Sequence, residues 1–415
     1  MGKKKIVKKP ELLAPAGDLE RLKIAFLYGA DAVYVGGMLY GLRANTPNFT
    51  LSELEEGVSY AHKLGKKVYV TLNIVLHNQE IDGLVSYIKE LDRIGIDAII
   101  VSDPAIITLA HEHASFEVHL STQQSTLNRE AVEFWKEQGV TRIVLGREAS
   151  RDDIQAIMDH VDIEIECFIH GAMCASYSGR CVLSNYLTAR DSNRGGCSQI
   201  CRWDFVLQDD FGNDCIGDEP FSFCTKDLSM LKYIPDMIDM GIASFKIEGR
   251  MRSMYYIATV VDAYRKEIDK YCHNPLNYEY NVAYEKVLRG CANRDSVPQF
   301  FNHKYDADCQ YYMGRDETTN QDFLGVVLDY DPKTGYATIE QRNKFFVDQT
   351  VEIFGPSIDN FKFQINEIID ENGENIEFAN HPKQIVKIKV PHPVYENDLM
   401  RNRDDKNGLD KMIYL

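Results

Sequence analysis

Of the ten cysteines in this 415-residue chain, Cys167, Cys174, Cys181, Cys197, Cys201, Cys215 and Cys224 fall between residues 167 and 224, and the first 166 residues contain none. The tightest pattern is Cys174-x6-Cys181-x15-Cys197-x3-Cys201, beginning in "HGAMCASYSGRC". Four thiolates suffice for a tetrahedral zinc ion or for a [4Fe–4S] cluster. Zinc ribbons normally use two close pairs, and only the second pair here is close, so the spacing leans toward iron–sulfur. Zinc and unliganded thiols stay open as alternatives. Cys224, in "FSFCTKDL", competes for the place of fourth ligand, and Cys167 reads as packing inside a strand. Glycines 195 and 196 precede Cys197, where backbone amides can approach cluster sulfurs.

The same segment is basic in a chain whose net charge is −17. Between His170 and Phe205 the charged residues are Arg180, Arg190, Asp191, Arg194, Arg202 and Asp204, with no lysine. Arginine alone suits forked recognition of phosphates or carboxylates; solvated loop arginines are the plainer reading. The overall charge excludes a broad nucleic-acid coat but leaves room for a local basic face. Walker-type loops, G-x-S-x-G elbows and H-E-x-x-H helices are missing from the sequence. Cysteines in this number without a secretory signal suggest a reducing, cytoplasmic setting in which disulfides are not expected. No apolar run reaches membrane-spanning length.

The elements that must position these groups alternate short β-rich runs with amphipathic stretches. "ELLAPAG", "ADAVYVGG", "KKVYVTLNIV", "AIIVSD", "FEVHLST", "RIVLGRE", "IEIECFIHG" and "SFKIEGR" make eight strands. All but the seventh lead directly into a helical pattern, which fits a TIM-type (β/α)8 barrel over residues 1–270. The seventh feeds a cysteine-rich insertion, residues 171–243. A connector follows over 271–317, and short β-patterned segments over 318–415 read as a small C-terminal β-barrel domain.

Strand parity sharpens the barrel reading, because the outward face lies under helices and must be apolar. Glu117, His119 and Ser121 alternate with Val118 and Leu120. Glu164 and Glu166 alternate with Ile163 and Ile165, and His170 has their parity. Lys246 and Glu248 alternate with Phe245 and Ile247, and Tyr69, Thr71 and Asn73 with Val68, Val70 and Leu72. The lumen is therefore expected to be ionisable. Internal ion pairing is the expectation for Glu117, Glu164 and Glu166. Asn73, Ser121, Arg147, His170, Glu248 and Arg250 fall at C-terminal strand ends, where barrel active sites are built.

"ELLAPAGDLERLKIAFLYGADAVYVGG", "EVHLSTQQS", "HGAMCASYSGRCVLSNYLTARDSNRGGCSQICRWDF" and "SFKIEGRMRSMYYIATVVDAYR" resemble the U32 peptidase family over nearly the whole chain. Within it they are most similar to the branch that forms 5-hydroxyuridine at tRNA wobble position 34. They also resemble an rRNA cytidine hydroxylase and a quinone-hydroxylating pair. "GVVLDYDPKTGYATIEQRNKFFVDQTVEIFGP" is similar to the family's C-terminal β-barrel, itself like the second domain of translation factors.

The resemblance implies oxygen-independent hydroxylation of tRNA, with prephenate as hydroxyl source and a [4Fe–4S] cluster on Cys174, Cys181 and Cys197. It puts the fourth ligand at Cys201 in the RNA-modifying branch and at the position of Cys224 in a quinone-branch relative. Arg147 or Arg250 would then hold the dicarboxylate prephenate, with Asn73, Ser121 and Lys246 as further substrate-binding candidates. His170 or Glu248 would handle protons, and Arg180, Arg190, Arg194 and Arg202 would meet the RNA. A collagenase-like peptidase, as the family name implies, and a zinc-stabilised RNA-binding protein without catalysis are the competing expectations.

Overall fold

A computed structural model describes residues 8–42, 48–215, 221–292, 294–302, 306–311 and 322–403. The opening seven residues, the far end of the 271–317 connector and the boundary expected at 318 lie outside them. The chain divides into two compact units, residues 1–289 with 294–318, and residues 290–293 with 319–415.

In the first unit the strands are β1 (Glu11–Pro15), β2 (Ala32–Gly36), β3 (Lys67–Leu72), β4 (Ala98–Val101), β5 (Glu117–Leu120), β6 (Arg142–Val144), β7 (Glu164–Gly171), β8 (Asp227–Ser229), β9 (Ser244–Ile247) and β10 (Ser296–Val297). From β1 to β7 each strand pairs in parallel with the next, and β9 pairs in parallel with both β7 and β1. The ring is thus a closed eight-stranded parallel barrel. Each strand matches one of the eight β-rich runs, because alternating or fully apolar stretches bounded by glycine turns leave the chain little choice. Six of the helices start with a side-chain cap, from Asp18, Thr50, Asp103, Asn128, Ser150 or Ser253, which satisfies an orphan N–H at the end facing the barrel mouth.

The long insertion is shorter than residues 171–243. It returns at β8, which runs antiparallel to the end of β7 and pairs on its other side with β10. The helix Ile234–Asp239 then leads to β9 in the usual barrel manner. β8 carries only three residues and no alternation, so its sequence holds no strand signal.

The lumen has two halves. Strands β1–β4 fill theirs with Leu13, Ala32, Tyr34, Tyr69, Ala98 and Ile100. The other half is charged, built on Arg142, Glu166 and Lys246 of β6, β7 and β9 with Glu11 of β1, while Glu117 and Glu164 stand half-exposed at its end. Arg142 Nη1 donates to Glu11 at 2.6 Å and to Glu166 at 3.3 Å, and its Nη2 to Glu164 at 2.7 Å. Lys246 Nζ donates to Glu166 at 2.8 Å. Tyr69 donates to Glu11, and His119 lies 3.0 Å from Glu117. Burial alone would raise the Glu166 carboxyl, but the Lys246 ammonium and Arg142 guanidinium outweigh it and hold it at about 2.

The second unit is an eight-stranded antiparallel sheet around a core that includes Val327, Ile339, Phe345, Val351, Ile353, Val386 and Ile388. Arg401, fully buried, and Arg403 share the carboxylate of Glu352.

Removing one partner of a buried pair leaves the other charge stranded, at a cost of about 3–5 kcal/mol, whereas solvent-screened pairs contribute under about 1 kcal/mol. Glu166→Ala should therefore lower the urea-unfolding free energy of the full chain by several kcal/mol, and Lys23→Ala at the exposed Glu56 pair should leave it nearly unchanged. Equal effects for the two variants would refute the network as the barrel's central constraint.

Candidate active site

One extra residue in β7 decides what faces the lumen. Cys167 pairs with Phe245 and Phe168 with Lys246, but the register then shifts and His170 pairs with Ile247. Inward parity passes to Phe168, and His170 turns outward with Ile247. This corrects the expectation that His170 shares the face of Glu164 and Glu166. His170 Nδ1 instead lies 3.3 Å from the hydroxyl of Tyr264 on the last barrel helix, Met254–His273. Tyr264 in turn donates to the Ile169 carbonyl and accepts from Met230 N–H. Burial, reinforced by the Arg252 charge, pulls the imidazole down to about 3, so it is neutral at pH 7. It holds a strand to a helix.

Phe168 takes the place at the mouth. Arg147, from the end of β6, stacks its guanidinium 3.7 Å from the Phe168 ring centroid. Arg147 Nη2 donates to Glu248 Oε2 at 2.8 Å, and its buried Nε has no hydrogen-bond partner. Glu248 follows β9 directly, with its N–H on the His170 carbonyl. Arg250 leans the other way, its Nη1 donating to Thr71 at 3.1 Å. Gly36 makes that possible, since a Cβ there would lie 1.8 Å from the same nitrogen.

The other expected substrate groups are engaged locally. Asn73 Oδ1 accepts from Leu42 N–H, and Ser121 caps the turn at Gln123. Lys246 is buried on Glu166, below the mouth, which removes it from direct reach of a substrate.

The cysteine excursion crosses this mouth, held by polar pins rather than by a core. On one side Ser178 N–H donates to the buried Glu148 at 3.0 Å, while Ser125 donates to the Ser178 carbonyl. Gly179, at φ +72°, passes so close to Gln123 that a Cβ would lie 2.0 Å from its carbonyl oxygen. On the other side Arg194 is paired with Glu80 and donates to the Val75 carbonyl at 2.8 Å. Arg194, expected to meet RNA, is thus occupied as a clamp. Arg180 and Arg190 are exposed and Arg202 is half-buried. Glu148, Ser178 and Arg142 were not singled out by the sequence reading. Parity in "RIVLG" places Arg142 inward, whereas Glu148 and Ser178 lie in loops where no period applies.

The thiols gather within this span. All are reduced. Loss of water around its sulfur raises the Cys174 thiol; a Ser176 backbone N–H and the Arg147 guanidinium act in the opposite direction, and the Cys181 and Cys197 sulfurs add to the rise. Desolvation, then Cys174 and Cys224 and more weakly Cys197, push Cys201 up to about 11. Cys174 thus feels Cys181, Cys197 and Arg147, and Cys201 feels Cys174, Cys197 and Cys224. Cys224 is buried and accepts from Arg294 Nη1 at 3.0 Å.

Among the described residues no three His, Cys, Asp or Glu side chains close on one point as ligands of a single ion would.

The family model for peptidase family U32 matches residues 17–310, and the model for the U32 C-terminal domain matches 319–401. This chain belongs to family U32. It is 52% identical over 406 residues to tRNA hydroxylation protein P1 of Bacillus subtilis (strain 168), covering 96% of each chain. It is 34% identical over 444 residues to tRNA hydroxylation protein P of Escherichia coli (strain K12), covering 95% of this chain and 97% of the other. With the 23S rRNA 5-hydroxycytidine C2501 synthase of the same organism it shares 42% identity over 259 residues, 62% of this chain and 39% of that one. Among the described residues no helix is long and apolar enough to cross a membrane.

The neutral His170 sets a pH dependence. An unfolded histidine titrates near about 6.5. Between there and about 3 the unfolded chain binds a proton that the native chain refuses, so falling pH destabilises the fold. His119, whose pKa burial also lowers, acts with the same sign. The His170→Gln variant should therefore lose less unfolding free energy than the parent between pH 7 and pH 5, while retaining part of the slope through His119. Denaturant titrations at both pH values check this; identical slopes would exclude a buried neutral His170.

Proposed function

We propose that this chain is an RNA hydroxylase acting on tRNA, forming 5-hydroxyuridine at wobble position 34 without dioxygen. The observation that carries the reading is the Arg147–Glu248 pair at the barrel mouth, stacked on Phe168, beneath a cysteine-bearing excursion pinned to the mouth through Ser178–Glu148 and Arg194–Glu80. The names of three relatives, two tRNA hydroxylation proteins and an rRNA 5-hydroxycytidine synthase, support the reaction class.

Replacing a C–H bond of the base by C–OH withdraws two electrons, and the hydroxyl source must take them up: prephenate, as R–OH, would give its hydroxyl to the base and leave as R–H, so that it is itself the two-electron acceptor. A [4Fe–4S] cluster on Cys174, Cys181, Cys197 and Cys201 would supply one-electron redox chemistry there. We assign the fourth place to Cys201, because Cys224 is buried and already satisfied by Arg294. The protein's own residues do the rest. Prephenate, as hydroxyl source, brings two carboxylates, and Arg147 can exchange Glu248 for one of them while its unpartnered Nε takes a second bond. Arg250, on the opposite wall, serves the other carboxylate. Glu248, once released, is the carboxylate placed to accept the proton that leaves the base. Phe168 fixes the plane of the Arg147 guanidinium and closes the lumen beneath. The anticodon loop is already unpaired, so presenting a uridine to this mouth costs little.

A peptidase, the reading in the family name, would need an activated nucleophile. Burial raises the Cys174 thiol despite the Arg147 charge, and the neighbouring histidine, which would serve as its base, is turned away onto Tyr264.

Purified without air, the protein should be brown and carry iron and sulfide. Cys174→Ser, Cys181→Ser, Cys197→Ser and Cys201→Ser should each lose most of the iron, whereas Cys224→Ser should keep it. Iron retained by the Cys201 variant and lost by the Cys224 variant would reverse the fourth-ligand assignment. Mass spectrometry of tRNA nucleosides from cells lacking this gene, and any second copy, should show 5-hydroxyuridine lost and regained on complementation. An unchanged nucleoside would remove the proposed function. Arg147→Met, which keeps the length but not the fork, should reduce hydroxylation by roughly two orders of magnitude, the scale expected when a positioned charge is removed.

A further inference from the structure

The helix Leu183–Thr188 lies between Cys181 and Cys197 and is amphipathic in the wrong sense. Its inward side is polar. Ser184 is buried and accepts from Ser198 N–H at 3.1 Å, while Thr188 bonds the Ser184 carbonyl at 2.7 Å and lies 3.0 Å from the Ser198 hydroxyl. Its outward side carries Leu183, Tyr186 and Leu187, with Val182 just before it; Tyr186 is 85% exposed and Leu187 52%. A helix folding for its own stability buries the apolar face. Here hydroxyls clip the helix beside Cys197, and the apolar side is left for something else.

The surrounding chemistry indicates what that is. Tyr177, on the turn between Cys174 and Cys181, is also exposed. From Gly171 to Arg190 the chain has no acidic residue and no lysine, only Arg180 and Arg190, both exposed, in a protein of net charge −17. Exposed rings with interleaved arginines are the ingredients of single-stranded nucleic-acid binding, in which bases stack on side chains and guanidinium groups take the phosphates. A generic apolar protein surface has no use for the arginines. A paired duplex has no use for the rings.

We propose that Val182, Leu183, Tyr186 and Leu187 form a platform for nucleobases flanking the target nucleotide in an unpaired RNA loop. Tyr186 supplies the main stacking ring, Tyr177 a second, and Arg180 and Arg190 meet the adjoining phosphates. The proposal rests on the RNA-hydroxylase reading and adds how the loop is held.

The test uses the full-length protein and two synthetic probes, an unmodified anticodon stem-loop and the same stem closed by abasic nucleotides. Base stacking on a ring corresponds to about 1–3 kcal/mol, so Tyr186→Ala should weaken binding of the base-bearing loop by roughly tenfold or more. Tyr186→Trp should restore it. Affinity for the abasic loop should be the same with or without the Tyr186 ring, and Arg190→Gln should weaken both probes and flatten the salt dependence. Thermal midpoints should not move, because the Tyr186 side chain is open to solvent. Parental affinity in Tyr186→Ala overturns the platform, and so does a change in the sedimentation of the chain with no change in RNA affinity, which would make the face a protein contact. The two readings fail separately. If cells complemented with the parent make 5-hydroxyuridine while Tyr186→Ala binds normally, only the platform falls; if the complemented cells make none, the underlying function falls.

Discussion

The pairing of Arg142 and Lys246 with Glu11 and Glu166 inside the barrel, with Glu164 closing it from a half-exposed end, is the constraint from which the rest of the unit follows. Barrels of this type usually close on branched apolar side chains. Here half the lumen is ionic, and a buried charge is tolerable only with its partner in place. The network therefore fixes which residues of β1, β6, β7 and β9 face one another, and hence the shear of the ring on that side. It also fills the interior to the level of Lys246. Nothing can react inside such a lumen, so reactive groups must stand above it, on the strand ends and the loops they carry.

The bulge at the end of β7 converts that plug into a site. If β7 had kept strict alternation, His170 would occupy the mouth and Phe168 would lie inward one layer below it. The extra residue ends the inward series on Phe168, turns a neutral imidazole onto Tyr264, and lets the chain leave the barrel at Gly171, whose φ of +108° brings its backbone close to Glu248. Bulges re-aim side chains next to functional sites for this geometric reason.

Much of this was legible in the residues. Eight β-rich runs gave eight barrel strands because each is apolar on the face that must lie under a helix. Parity likewise placed Tyr69, His119, Glu166 and Lys246 inward. It broke down at His170, because an inserted residue leaves no mark on the pattern of hydrophobicity. It also missed β8, which is three residues long and paired only through long-range contacts, and the Ser178–Glu148 pin, since loop hydrogen bonds carry no period. Arginine content drew attention to residues 180–202 but did not separate Arg194, spent on Glu80, from the exposed Arg180 and Arg190. Residue type records chemistry, while partnership is decided by the fold.

The manner in which the excursion is held bears on how it works. From Cys174 to Cys201 few side chains are buried, and its contacts with the barrel are hydrogen bonds and one ion pair rather than packed apolar area. Such contacts contribute about 1 kcal/mol each, too little on their own to order these 28 residues against conformational entropy of about 1 kcal/mol or more per residue. The stabilisation must come from elsewhere. Thiolates bound to a shared inorganic centre would provide it, because ligand binding to a segment that is not rigid beforehand is itself folding free energy. On the proposed reading, sulfur ligands on a shared centre would also hold Arg180, Arg190 and the outward face of Leu183–Thr188 in place, so that the loop which receives a substrate would be fully formed only with that centre bound.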